Sequence, residues 1–170
     1  MNYSAIANST SIRRSDGAFI PADPENLDYQ AYLAWCAAGN TPTAVPLAGA
    51  QQQQIDVISI ACQASIYAGF SSSALGSAHT YPAKDTDQQN LTASVLASLM
   101  PGLASNWTTP FWCADSNGDW AYVDHSAAQI QQVGQDGKTA ILAALSKNQT
   151  LAAQVMAATT VAQVQAIVWS

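Results

Sequence analysis

Two aromatic-rich runs joined by a five-residue turn limit this chain more than any other feature. Trp107 to Cys113 and Trp120 to Val123 flank Asp115-Ser116-Asn117-Gly118-Asp119. Asn-Gly between such runs is a strong hairpin signal. Elsewhere apolar residues recur mostly at helical spacing. Ile55, Ile58, Cys62, Ile66 and Tyr67 line one face of a helix predicted over 50–68, and Leu91, Val95, Leu96 and Leu99 one face of the next, opened by Asp85-Thr86-Asp87-Gln88. Ser126 is suited to cap a fourth helix with Ile130, Val133, Ile141 and Leu145, broken or kinked at Gly134–Gly137. Two short helices follow, about 150–158 and 160–168, the last capped by Thr159 or Thr160. The pattern predicts an α+β fold: a helix-dominated domain with one β-hairpin, preceded by a small N-terminal hairpin-helix module.

Punctuation divides the chain. Residues 5–20 read as a hairpin turning at Asp16-Gly17. Asp23-Pro24 reads as the start of a helix whose inner face is Tyr29, Tyr32, Leu33 and Cys36, ended at Gly39-Asn40. This gives a hairpin-helix attachment module at 1–42, a Pro linker at 43–49 and a helical domain at 50–170. The Gln51–Gln54 run reads as a solvated first turn, and Ser71–Ser73 as part of a loop before a short strand at His79–Tyr81.

Composition excludes several functions. The charged fraction is 9%, against about 25% in ordinary soluble domains, while 49% of residues are apolar. Net charge is −6, from 5 basic and 11 acidic residues. Phosphate neutralisation needs several Lys or Arg on one face, so no nucleic-acid partner is expected. No apolar run approaches the roughly 20 residues of a membrane span, and no apolar leader segment precedes Arg13-Arg14, so synthesis in a cytoplasm without membrane insertion is expected. A surface of neutral amides and hydroxyls desolvates more cheaply than a charged one, which favours burial against neighbours. Cys36, Cys62 and Cys113 leave room for at most one disulfide and lack zinc spacing. Asn-x-Ser/Thr triplets at Asn2, Asn8, Asn90, Asn106 and Asn148 read as chance in so Asn-rich a chain.

His79, Asp85, Asp87 and His125 are the candidate functional cluster. Two imidazoles and two carboxylates could bind a transition metal if the fold gathered them, though no tight ligand spacing supports one; helix capping and loop hydrogen bonds account for the same residues. Asp115-Ser116-Asn117-Gly118-Asp119 carries oxygens at calcium-loop positions, but its glycine falls too early and position 12 is Ser126. Ser71–Ser73 near His79 lacks a nucleophile elbow. No nucleotide motif is present. Neither catalysis nor a cofactor is expected. Trp107, Trp112 and Trp120 form the candidate interface, with core packing as the competing role.

Two segments carry a resemblance. Phe19 to Pro42, FIPADPENLDYQAYLAWCAAGNTP, is similar to a short module of phage tail fibre and fibre-associated proteins with the pattern IPxDxxNxDYQxYLxWxxxGNTP. Ile55 to Trp169 resembles a phage family known only as a domain of unknown function, through Cys62, Ile66, Gly69-Phe70, Ser73-Ala74-Leu75-Gly76, His79, Tyr81, Asp87-Gln88, Asn90-Leu91, Trp120, His125 and Gln129. The resemblance implies a structural virion protein at the tail or tail fibre, made in the host cytoplasm and linking the tail to the host-recognition apparatus. Its implied partners are other tail or fibre proteins, further copies of itself (a trimer by analogy with fibres) and a host surface receptor. A tail-fibre assembly chaperone and a small envelope-acting hydrolase are the alternatives.

Overall fold

The computed structural model describes residues 1–6 and 9–170. Residues 7 and 8, and with them the triplet at Asn8 and part of the expected 5–20 hairpin, lie outside the described residues. The fold is α+β: the described residues form five helices and two antiparallel sheets. By contact density the chain parts into two compact units, Met1–Ile58 with Thr150–Ser170, and Ser59–Gln149. This cut is drawn elsewhere than the 1–42, 43–49 and 50–170 division read from the sequence.

In the first unit, β1 (Tyr3–Ala5), β2 (Ile12–Arg14) and β3 (Phe19–Ile20) form a three-stranded sheet in that order. The Asp16-Gly17 turn joins β2 to β3 as expected; β1 was not foreseen. Helix α1 (Leu27–Ala37) starts later than Asp23-Pro24 predicts, because Asn26 is the N-cap and its side chain accepts the Tyr29 N–H. Asp23 instead accepts the Glu25 N–H in a local turn. Tyr29, Tyr32 and Trp35 pack on Tyr3, Ile12 and Ile20. Leu33, expected inside, is exposed. Arg14 ties the sheet to α1 through Asp16 and Asp28, and its guanidinium holds the Asp16 carboxyl below the usual range.

The 43–49 segment is held rather than loose. Thr43 exchanges backbone hydrogen bonds with Tyr3 and Ala5, both 2.9 Å. Helix α2 (Leu47–Tyr67) begins at Leu47, three residues earlier than the expected start, and Val45 and Leu47 pack against Ala50, Ile58, Val155 and Val164. The glutamine run is not merely solvated. Gln51 donates to the carbonyls of Val155, Met156 and Ala158, and buried Gln54 donates to the Ile167 carbonyl at 2.7 Å. Carbonyls at a helix end have no partner inside the helix, and these amides supply one.

The second unit is built on a four-stranded sheet ordered β4 (Phe70–Ser72), β5 (His79–Tyr81), β6 (Thr108–Ala114) and β7 (Trp120–Ser126). Strand β4 replaces part of the expected loop. Helix α3 (Asp85–Ser98) buries Leu91, Ser94 and Ser98, with Val95 packed beside them, and leaves Leu96 and Leu99 exposed. Helix α4 (Ala127–Ala157) follows the hairpin, opened by a reciprocal cap between Ser126 and Gln129. Helix α5 (Val161–Ala166), capped by Thr160, completes the first unit. Cys62 and Cys113 are buried, Cys36 is half-buried, and all three are free thiols.

The expected break at Gly134–Gly137 is absent: α4 runs unbroken for 31 residues. The two glycines are contact points instead. A Cβ at Gly134 would stand 2.8 Å from a Val95 methyl, and one at Gly137 would stand 2.8 Å from the Phe70 ring. Gly137→Ala gains about 1 kcal/mol of helix propensity and loses about 1–3 kcal/mol to overpacking. A net loss of up to about 2 kcal/mol is expected in urea unfolding, smaller when Phe70→Leu is added, because the shorter side chain yields the space.

Candidate functional site

The inner face of the hairpin is set by alternation. The register pairs Phe111 with Val123, Thr109 with His125 and Trp112 with Tyr122. Phe111, Cys113 and His125 point inward, into a core with Phe70, Tyr81, Leu91, Ile130 and Val133. His125 is 0% exposed. Its Nδ1 lies 2.8 Å from the Val123 carbonyl and its Nε2 2.8 Å from the Tyr81 hydroxyl. A carbonyl only accepts, so Nδ1 carries the proton; the neutral ring then accepts at Nε2, and Tyr81 is the donor. Burial pushes the His125 pKa down, opposed in part by the Val123 carbonyl, and burial pushes the Tyr81 hydroxyl up. The Cys113 thiol beside Tyr81 is also pushed up by burial, so it is a poor nucleophile.

The four candidate residues therefore do not converge. His79, on β5, directs its Nδ1–H to the Ser77 carbonyl at 3.0 Å. Asp85 accepts the Tyr67 hydroxyl at 2.7 Å, which raises the Tyr67 pKa. Asp87 accepts the Lys84 N–H at 3.0 Å, a capping role in the first turn of α3. Among the described residues, no three His, Cys, Asp or Glu side chains come together as a metal ion would require. Ser72 stands opposite His79 in the β4–β5 register, but its hydroxyl takes the Ala74 N–H. Asp115 organises the hairpin turn by accepting the N–H groups of Asn117 and Asp119, and those bonds hold its carboxyl below the usual range.

The tryptophan trio divides. Trp107 precedes β6 and packs half-buried against the core. Trp112 and Trp120 lie on the outer face, 39% and 43% exposed, with Tyr122 at 71%. The Trp112 and Trp120 rings stack at 6.1 Å, and Tyr122 meets Trp112 at 5.0 Å. Residues 107 and 112 are separated by an odd number, so a continuous strand cannot show both on one face. Trp120 and Tyr122 differ by two and must share one. Tyr122 is the member that attention to tryptophan alone passes over.

The profile of a family described as a domain of unknown function (DUF4376) matches residues 49–168. The chain belongs to this family. Its DUF4376 portion takes in α2 to α5 and the whole four-stranded sheet, while the three-stranded sheet and α1 precede it. Neither a curated protein nor a solved structure matches the chain. Within the DUF4376 portion an apolar groove of about 620 Å³ lies between α3 and α4, floored by Phe70, Gly134 and Gly137. A second cleft of about 440 Å³ is bounded by Tyr67, Asp85 and Asn148, whose buried Oδ1 lacks a hydrogen-bond partner among the described residues. No DUF4376 helix, nor any other described helix of the chain, is long and apolar enough to cross a membrane.

Proposed function

We propose that the protein is a structural component of a phage virion at the tail or tail fibre, linking the tail to the host-recognition apparatus. The observation that carries this reading is the state of the N-terminal helix. None of the 11 residues of α1 is fully buried: Tyr29, Tyr32 and Trp35 are half-buried against the sheet, and Leu33 is exposed. Leu27 and Leu33 of α1 are exposed, as is Phe19 on the neighbouring strand β3. A helix with this much uncovered apolar surface is suited to a neighbour, and it lies within the segment that resembles a tail-fibre module. The motif residues also have local work. Asn26 caps, Asp28 pairs with Arg14, and Asn40 donates to the Trp35 carbonyl at 2.9 Å. A non-enzymatic role is supported by His125, whose two ring nitrogens are engaged inside the core.

Mass spectrometry of purified particles tests the reading. The chain is expected in mature virions, and Leu33→Asp, an exposed change that leaves the sheet intact, is expected to lower its incorporation about 10-fold by placing a charge in an apolar contact. Presence in the lysate with absence from particles would overturn the reading in favour of an assembly chaperone.

A further inference from the structure

The outer face of the β6–β7 hairpin is unlike a random exposed surface. Trp112 and Trp120 form an offset stack within 21° of parallel, each leaving part of its ring exposed, and Tyr122 meets Trp112 at 57°. Beside them, where α3 approaches β6, is a cleft of about 220 Å³ lined by Pro82, Asp87, Asn90, Phe111, Trp112 and Tyr122. We propose that this platform and cleft bind a neutral oligosaccharide. The proposal does not depend on where in a particle the chain sits.

The chemistry of the two partners matches. A pyranose presents a face of C–H groups whose hydrogens carry partial positive charge, and the face of an aromatic ring is negative. Its rim is a set of hydroxyls, each a donor and an acceptor. Polar groups stand where that rim would fall. Asp87 uses one carboxylate oxygen for the Lys84 N–H, leaving the other. The exposed Asn90 amide, two donors and one acceptor, makes no hydrogen bond to the described residues. Asp124 lies on the same outer face, opposite Pro110 and next in line to the Trp112–Tyr122 pair.

Charge selects the class. None of the described residues lining the cleft is Lys or Arg, while Asp87 and Asp124 are carboxylates and the chain as a whole carries −6. Polyanions, including phosphorylated or sialylated glycans, are repelled. A protein partner fits less well. Protein hot spots are ringed by contacts that exclude water, and covering these carboxylates without a cation would leave acceptors desolvated. Hydroxyl donors satisfy them.

Intrinsic tryptophan fluorescence and calorimetry of the full chain test this, with maltohexaose, cellohexaose, chitohexaose and mannohexaose as neutral probes and sialyllactose as the anionic control. At least one neutral probe is expected to saturate, with Kd between roughly 10 μM and 1 mM, the range of small polar ligands on open sites. Trp112→Ala and Tyr122→Ala are each expected to weaken it at least ~10-fold. Asn90→Ala, on the exposed face of α3 and outside the sheet, is expected to weaken it ~3–10-fold with no change in urea midpoint, so a loss cannot be put down to unfolding. Three results would each overturn the proposal: no neutral probe bound at about 10 mM, binding untouched by all three substitutions, or self-association abolished by Trp112→Ala with no saccharide bound.

Discussion

Gly69→Ala is expected to destabilise the Ser59–Gln149 unit more than any other single methyl addition considered above. Gly69 closes α2 with φ of +93° and its N–H on the Ile66 carbonyl, and the next residue enters β4. A Cβ there would overlap the carbonyl oxygen of Tyr81, which is backbone and cannot swing aside. The left-handed conformation costs a non-glycine residue about 1–2 kcal/mol, and forcing the β4 and β5 backbones apart adds about 1–3 kcal/mol. Reduced freedom of the unfolded chain returns only about 0.4–1 kcal/mol. The net loss is about 2–4 kcal/mol, a large part of the roughly 5–15 kcal/mol that holds a domain together. Gly76→Ala is the matched control: its φ is +89°, and nothing lies within 4 Å of the added methyl. In urea unfolding at constant m-value the midpoint of Gly69→Ala should fall at least about twice as far as that of Gly76→Ala. Equal losses would mean that strain alone operates and that the close approach to Tyr81 is unimportant.

Those two glycines show where a sequence speaks and where it does not. Gly69 is legible as a helix stop, because an apolar helical face ends just before it. Its closeness to Tyr81 is not legible, since that contact depends on β4 pairing with β5. The β6–β7 hairpin was readable because Asn117-Gly118 and two-residue alternation are both local signals. Its register also contained the burial of His125, which follows from Trp112 facing out and Tyr122 facing it. The partner of His125 was hidden, because Tyr81 arrives from another strand. Local signals misled where several compete. Asp23-Pro24 has the grammar of a helix start, yet Asn26 holds that position. Gly134 and Gly137 read as breakers, but α4 uses them to admit Val95 and Phe70. Helix propensity counts a glycine as a loss of about 1 kcal/mol; it does not see the ring packed on it. The same limit applies to Gln51 and Gln54, whose acceptors lie about a hundred residues further along the chain.

The Tyr81–His125 pair is expected to make stability fall in mild acid. With Nδ1–H on the Val123 carbonyl, Nε2 is the only acceptor the ring can offer Tyr81. Protonating the ring removes that acceptor and places a charge in the core, which is why burial lowers the folded-state pKa. The unfolded chain takes up the same proton at the ordinary value of about 6.5. Below that pH the unfolded state binds more protons than the folded one, so stability is full above it and declines as pH falls, by at most about 1.4 kcal/mol per pH unit, until the folded pKa is passed. Asp16 and Asp115, whose pKa values are also lowered, act in the same sense but only at and below the carboxylate range, so the window between pH 6.5 and about 5 belongs to the imidazole. Tyr81→Phe leaves Nε2 without a donor and should cost about 1–3 kcal/mol at pH 7.5. His125→Leu removes the acceptor of the Tyr81 hydroxyl and leaves a poorly filled site in the core, and should cost about 2–5 kcal/mol, while flattening the slope between pH 6.5 and 5. Combining the two should be less damaging than the sum of the single losses, because the hydroxyl and the ring nitrogen then vanish together. Urea midpoints across pH 5–8 for the wild type, both single variants and the double variant measure all of this. A slope unchanged in His125→Leu would show that the buried imidazole does not govern the acid response and that the Tyr81 hydrogen bond is incidental to it.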